Sequence, residues 1–177
     1  MGFVAVGVFW LLAIWGVLSR RPVLFYLFFS CMGFGAMAVV PPELTGGLTF
    51  IATPILTLLI VLRAFLSRSG PDFFLTSALR PNRLGLLFLF WVVAMLATLT
   101  MPRLFAGAVE VVPIRGILQE TTPLMPTAQN ISQLVYLTIS VLGVFAFARI
   151  LRSRGDRQHA LKAMVFGGAV TGFTGML

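Results

Sequence analysis

The apolar residues of this chain fall into long unbroken runs, and nothing else in the sequence constrains its fold as strongly. The runs cover residues 2–18, 23–40, 48–66, 84–100 and 134–150, and a sixth begins near Met164 and reaches Leu177. None carries a consistent polar stripe, so a helix formed there has no face to show to water. None alternates apolar with polar residues, as the strands of a membrane barrel do. Each of the first five approaches the ~20 residues that cross about 30 Å of hydrocarbon as a helix. The expected fold class is therefore all-α. It is a polytopic transmembrane helix bundle over residues 1–177, with five full spans and a sixth incomplete one.

Composition agrees. The chain is 59% hydrophobic and 10% charged, whereas a soluble domain carries about 25% charged residues. The first run has no basic residue before it, and Arg20 and Arg21 follow it. A cleaved secretory peptide has the reverse arrangement, so this run reads as a retained first helix. Cys31 is the one cysteine, and it builds neither a disulfide framework nor a thiolate metal site by itself. It reads as a small buried hydrophobe.

The net charge of +8 sits in the connectors between the runs. Eleven of the 13 Lys and Arg residues lie in or beside the first, third and fifth connectors: Arg20, Arg21, Arg63, Arg68, Arg80, Arg83, Arg149, Arg152, Arg154, Arg157 and Lys162. The second connector holds Glu43, and the fourth holds Arg103 and Arg115 with Glu110 and Glu120. Basic residues stay on the cytoplasmic side of a membrane. That rule puts the odd connectors inside, the N-terminus outside and a long outer loop over about 101–133. The same distribution argues against nucleic acid as the partner, because the cations form no patch of their own. It points to membrane lipids, including anionic headgroups near the fifth connector.

Arg103 and Arg115 are the only basic residues of the outer loop, and each is a candidate clamp for a pyrophosphate or an anionic headgroup. The structural reading is that Arg103 snorkels at a helix end and that Arg115 pairs with Glu110 or Glu120. Gln129 and Gln133 lie one helical turn apart with Asn130 beside them. Their amides suit a sugar-binding mouth, and equally suit capping and interfacial solvation. Thr49, Thr53 and Thr57 surround Pro54 in the third run, which predicts a kinked helix there. Gly168 and Gly172 form a GxxxG pair with Gly167 and Gly175 nearby, a spacing that lets another helix approach closely. His159 has no companion ligand and reads as a solvated side chain. No ionisable residue lies well inside a run, and no paired carboxylates, nucleophile–base pair or phosphate-binding glycine loop is present. No metal or cofactor is implied, and no catalytic residue stands out.

The segments Phe34-Gly35-Ala36-Met37-Ala38-Val39-Val40-Pro41-Pro42, Thr45-Gly46-Gly47-Leu48-Thr49 and Pro123-Leu124-Met125-Pro126-Thr127-Ala128-Gln129-Asn130-Ile131-Ser132-Gln133, the last leading into Leu134-Val135-Tyr136-Leu137, carry a resemblance. In these segments and in hydropathy the chain resembles the bacterial O-antigen ligase and polysaccharide-polymerase-like membrane proteins. The resemblance implies glycosyl transfer without a metal, from polyprenyl-pyrophosphate-linked glycans, on the outer face of the bacterial inner membrane. It also implies ten to twelve helices, with the essential basic residues in the later half. On that reading the chain is an N-terminal portion of a longer protein. The short sixth run, with no polar stop after it, leads to the same expectation. A re-entrant final helix is the rival reading of that run. Two other functions fit the same residues: a secondary transporter, suggested by Pro54 and the glycine-rich sixth run, and a non-catalytic membrane assembly subunit.

Overall fold

Prolines and β-branched residues decide where the apolar runs stop being helical. The computed structural model describes residues 2–19, 22–34, 38–40, 50–112 and 121–174. Helix α1 covers Gly2–Leu18 and α2 covers Val23–Cys31, continued by one 3-10 turn over Met32–Phe34. The second run then becomes extended: Ala38–Val40 forms β1, which pairs antiparallel with β2, Phe50–Ile51. Val40 precedes Pro41, and a residue before proline is pushed out of the helical region, a bias that Val39 and Val40 reinforce. The indole Nε1–H of Trp10 donates to the Val39 carbonyl at 2.9 Å and ties β1 to α1.

Helix α3, Ala52–Leu66, starts two residues before Pro54. Pro54 thus lies in the first turn, where its missing N–H costs nothing. The predicted Pro54 kink is therefore absent, and the chain breaks later. After Ser67-Arg68-Ser69 it turns by 104° into α4, Gly70–Ala78. Gly70-Pro71-Asp72 is a helix-start signal, with proline in the first turn and an acid at the positive end of the dipole. A π-helical turn over Pro81–Gly85, irregular at Arg83, leads into α5, Leu86–Leu104. Beyond the short strands β3, Glu110–Val111, and β4, Thr122–Pro123, come α6, Ala128–Ile150, and α7, Arg154–Thr174.

Five full spans are not borne out. Among the described residues two helices are long and apolar enough to cross a membrane, 81–104 and 129–150, and the bent α3–α4 pair makes a third if counted as one. Helix α1, at 17 residues, is short for a crossing. The run 23–40 is strand over Ala38–Val40, and the run 48–66 has strand at Phe50–Ile51 before its helix starts at Ala52. The sixth run changes most: its helix starts at Arg154 instead of Met164, so its first turns are charged.

The described residues divide into two compact units, 1–77 with 142–177, and 78–141. In the first, α2 buries Leu24, Phe25, Phe28 and Cys31. It lies along α7, whose Ala160, Ala163 and Gly167 face it. Here the helices nearly touch: a Cβ on Gly167 would sit 2.7 Å from the Phe29 backbone, and one on Gly33 would sit 2.7 Å from the Thr171 hydroxyl. Small residues at a crossing let backbones approach. The glycine at this crossing is Gly167; among the described residues a Cβ added at Gly168 or Gly172 would meet nothing within 4 Å. Phe147 of α6 completes the aromatic core against Phe25 and Phe28.

Arginines join helix ends in this unit. Arg63, near the end of α3, donates to the Gly16 carbonyl of α1 at 3.0 Å. Arg149, near the end of α6, donates to the Ala64 carbonyl and to the Ser67 and Ser69 hydroxyls. Arg152 lies 4.5 Å above the Phe73 ring, and Phe74 stacks on Phe145. The C-terminal ends of α1, α3 and α6 therefore meet, and α4 is held against α6. The last carbonyls of a helix have no partner within it, and a cation is favoured there by the dipole as well.

In the second unit α5 has no buried residue. The Trp91 indole donates to the Thr138 hydroxyl of α6 at 2.9 Å. The Thr138 hydroxyl in turn donates to the Leu134 carbonyl at 2.8 Å.

Candidate functional site

The expected loop over about 101–133 is helical at both ends, so Arg103 lies on the last turn of α5 and Gln129, Asn130 and Gln133 on the first turns of α6. The described part of the connector between them is held by hydrogen bonds. Pro102 sits in the last turn of α5. Beyond it the chain needs a left-handed residue to reverse, and Gly107 supplies it with φ of 74°. The Gly107 N–H donates to the Leu124 carbonyl at 3.0 Å, and the Leu124 N–H to the Val109 carbonyl at 2.8 Å. The β3–β4 pair continues this ladder with Glu110 opposite Pro123 and Val111 opposite Thr122. The Thr121 hydroxyl donates to a Glu110 carboxylate oxygen at 2.8 Å. These bonds fasten the end of α5 to the start of α6.

Helix α6 begins on a threonine cap. The Asn130 N–H donates to the Thr127 carbonyl at 3.1 Å and approaches the Thr127 hydroxyl at 3.4 Å. A hydroxyl at this position satisfies a donor that the first turn leaves free. Capping is thus done by Thr127, which frees the side chains of Gln129, Asn130 and Gln133 from that task. Gln129 and Gln133 are exposed and Asn130 is half-buried. Amides in this setting offer paired donors and acceptors to a polyhydroxylated ligand.

Arg103 is exposed on the last turn of α5, and its guanidinium donates to the Leu99 carbonyl one turn back. Arg115, with Glu120, lies outside the described residues, as do Thr49 and Gly175 of the other expectations. Arg103 on α5 and Gln129, Asn130 and Gln133 on the first turns of α6 lie within the same compact unit, and Glu110 of the connector is held by Thr121. Among the described residues no group of three His, Cys, Asp or Glu side chains is placed to hold a metal ion.

The second polar cluster was not anticipated as such. Arg149 with Ser67 and Ser69 fills the break between α3 and α4. Its sequence signal was the Ser-Arg-Ser-Gly-Pro stretch, which reads equally well as a charged loop. Thr57, expected to serve a kink, instead donates to the Thr53 carbonyl at 2.9 Å and presents its methyl to Gly143 of α6. His159 is exposed. No protein-family model, no curated protein and no solved structure matches the chain.

Proposed function

We propose that this chain serves envelope or exopolysaccharide biosynthesis in a bacterial inner membrane, and that its α5–α6 connector faces outward and holds a polyprenyl-pyrophosphate-linked glycan. One observation carries the reading. Two long apolar helices are joined by a hydrogen-bonded connector, and the amides of Gln129, Asn130 and Gln133 on the first turns of the second helix are spared from capping. In that arrangement the amides read sugar hydroxyls, and Arg103 meets the pyrophosphate as a charge-assisted donor. The connector binds and positions; the chemistry of an O-antigen ligase or polymerase-like transfer is not assigned to any residue described here. The resemblance of residues 34–49 and 123–137 to such membrane proteins supports the same reading, as does the distribution of basic residues among the connectors.

Deletion of the gene in its host tests this directly. The expected result is shortened or missing surface polysaccharide on a gel, with lipid-linked glycan accumulating. The double variant Gln129→Ala/Gln133→Ala should fail to restore it. Unchanged surface polysaccharide after deletion overturns the proposal. A reporter enzyme fused after Gly116 should be active only outside the cytoplasm.

The bent α3–α4 pair favours one other reading, a secondary transporter, because broken helices build substrate sites at the membrane midplane. Against it, Arg149 already occupies the groups that the break frees. Substrate uptake by vesicles containing the protein would restore this reading. A non-catalytic assembly subunit would copurify with one partner and leave lipid-linked glycan unbound.

A further inference from the structure

The outward side of α7 changes character along its length. Ala160, Ala163 and Gly167 are buried on the inward side, and the other side is exposed from Arg154 to Phe173. Its first turns carry Arg154, Arg157 and Lys162. Its later turns are apolar, with Val165 76% exposed and Phe173 69% exposed. Between them Leu161, Lys162, Val165, Phe166 and Ala169 line a shallow groove. One wall is fixed, because Phe166 packs edge-on against Tyr26 of α2 at 6.0 Å.

We infer that this groove is a binding site for an anionic phospholipid: an acyl chain lies along Leu161, Val165, Phe166 and Ala169, and the phosphate meets Lys162 with Arg157 and Arg154. Charge complementarity identifies the occupant. The helix has one acid, Asp156, and it is half-buried beside the inward-facing positions. Among the described residues none of Arg154, Arg157 and Lys162 has a side-chain partner, whereas Arg149 and Arg152 are both engaged. The remaining cations stand at the end of an apolar groove, spaced over about two turns of one helix. That is the length over which a headgroup meets a chain boundary. A zwitterionic lipid offers the same chain without the net charge, and a free phosphate offers the charge without the chain. The site is independent of the glycan reading and requires only that α7 lie in the membrane.

The test uses the full chain in nanodiscs or detergent, with dioleoyl phosphatidylglycerol and dioleoyl phosphatidylcholine as probes and retained lipid counted by native mass spectrometry. Phosphatidylglycerol should be retained preferentially. Lys162→Gln and Arg157→Gln should each lower that preference by about five-fold, since one cation near an anionic surface contributes on the order of that factor. Lys162→Arg should keep it. Ala169→Trp, which fills the groove, should reduce retention of both lipids. Unfolding curves for the variants separate lost binding from lost fold, because these side chains are exposed. Equal retention of the two lipids, or a preference unchanged in Lys162→Gln/Arg157→Gln, overturns the inference. Inorganic phosphate competing as well as phosphatidylglycerol does so too. Unaltered surface polysaccharide after gene deletion would sink the glycan proposal and leave this site standing.

Discussion

Helices α2 and α5 are equally at home in a list of apolar segments, yet they meet opposite surroundings. Helix α2 has nine residues and buries four of them against α1, α3, α6 and α7. Helix α5 has 19 residues and buries none. Hydropathy is blind to the distinction, because lipid tails and leucine side chains are alike in polarity. What separates the two is the size of the neighbouring residues. Where Gly33 and Gly167 remove side chains, backbones close on each other; where Leu, Phe and Trp follow one another, as in α5, the helix keeps its bulk exposed.

The strongest way to break this comparison is to add bulk at the α2–α7 contact. Gly167→Leu puts a side chain where even a Cβ would meet the Phe29 backbone at 2.7 Å. Overpacking costs typically about 1–3 kcal/mol, and a backbone neighbour cannot swing aside, so the upper end is expected. Thermal unfolding in detergent should show it, and an unchanged midpoint would mean that α2 and α7 are not in contact. Gly168→Leu, one residue away and open, should unfold as the parent does.

Next in size is Arg149→Ala. It strips the Ala64 carbonyl and two serine hydroxyls of a charged donor, a loss of about 1.5–3 kcal/mol. Hydrogen exchange should report it locally, as faster exchange over α4. Arg149→Lys should recover only part, because an ammonium cannot reproduce the planar fork that reaches all three acceptors. Exchange confined elsewhere would show that the arginine does not hold the bend.

The smallest effect belongs to the exposed helix. Trp91→Phe removes the indole bond to Thr138, and hydrogen bonds between membrane helices average about 0.6 kcal/mol. A drop several times larger would show that α5 depends on packing after all and would erase the contrast with α2.

The all-α class was legible because apolar runs of this length admit few other structures. The α5–α6 connector was legible in part: its prolines marked a loop, but the amides placed in that loop belong to the first turns of α6. The cap at Thr127 and the turn at Gly107 were not identified, because both depend on backbone angles that many sequences share. The end of the second run went unread for a related reason. Val39, Val40 and Pro41 are as apolar as their neighbours, so only their stereochemistry marks the change to strand. The start of α7 was missed because its charged turns look like a loop until Ala160 and Ala163 are seen packed.

By itself, then, the sequence determined that this protein is helical, apolar and basic at its connectors, since hydropathy and charge placement are both read residue by residue. Only the tertiary structure decided which apolar surfaces meet protein. It made Gly167 and not Gly168 the point of contact, moved the break from Pro54 to Ser67–Ser69, and put Arg149 inside it. Those outcomes depend on helix phase and on backbone approach measured in tenths of an ångström, which no run length or composition encodes.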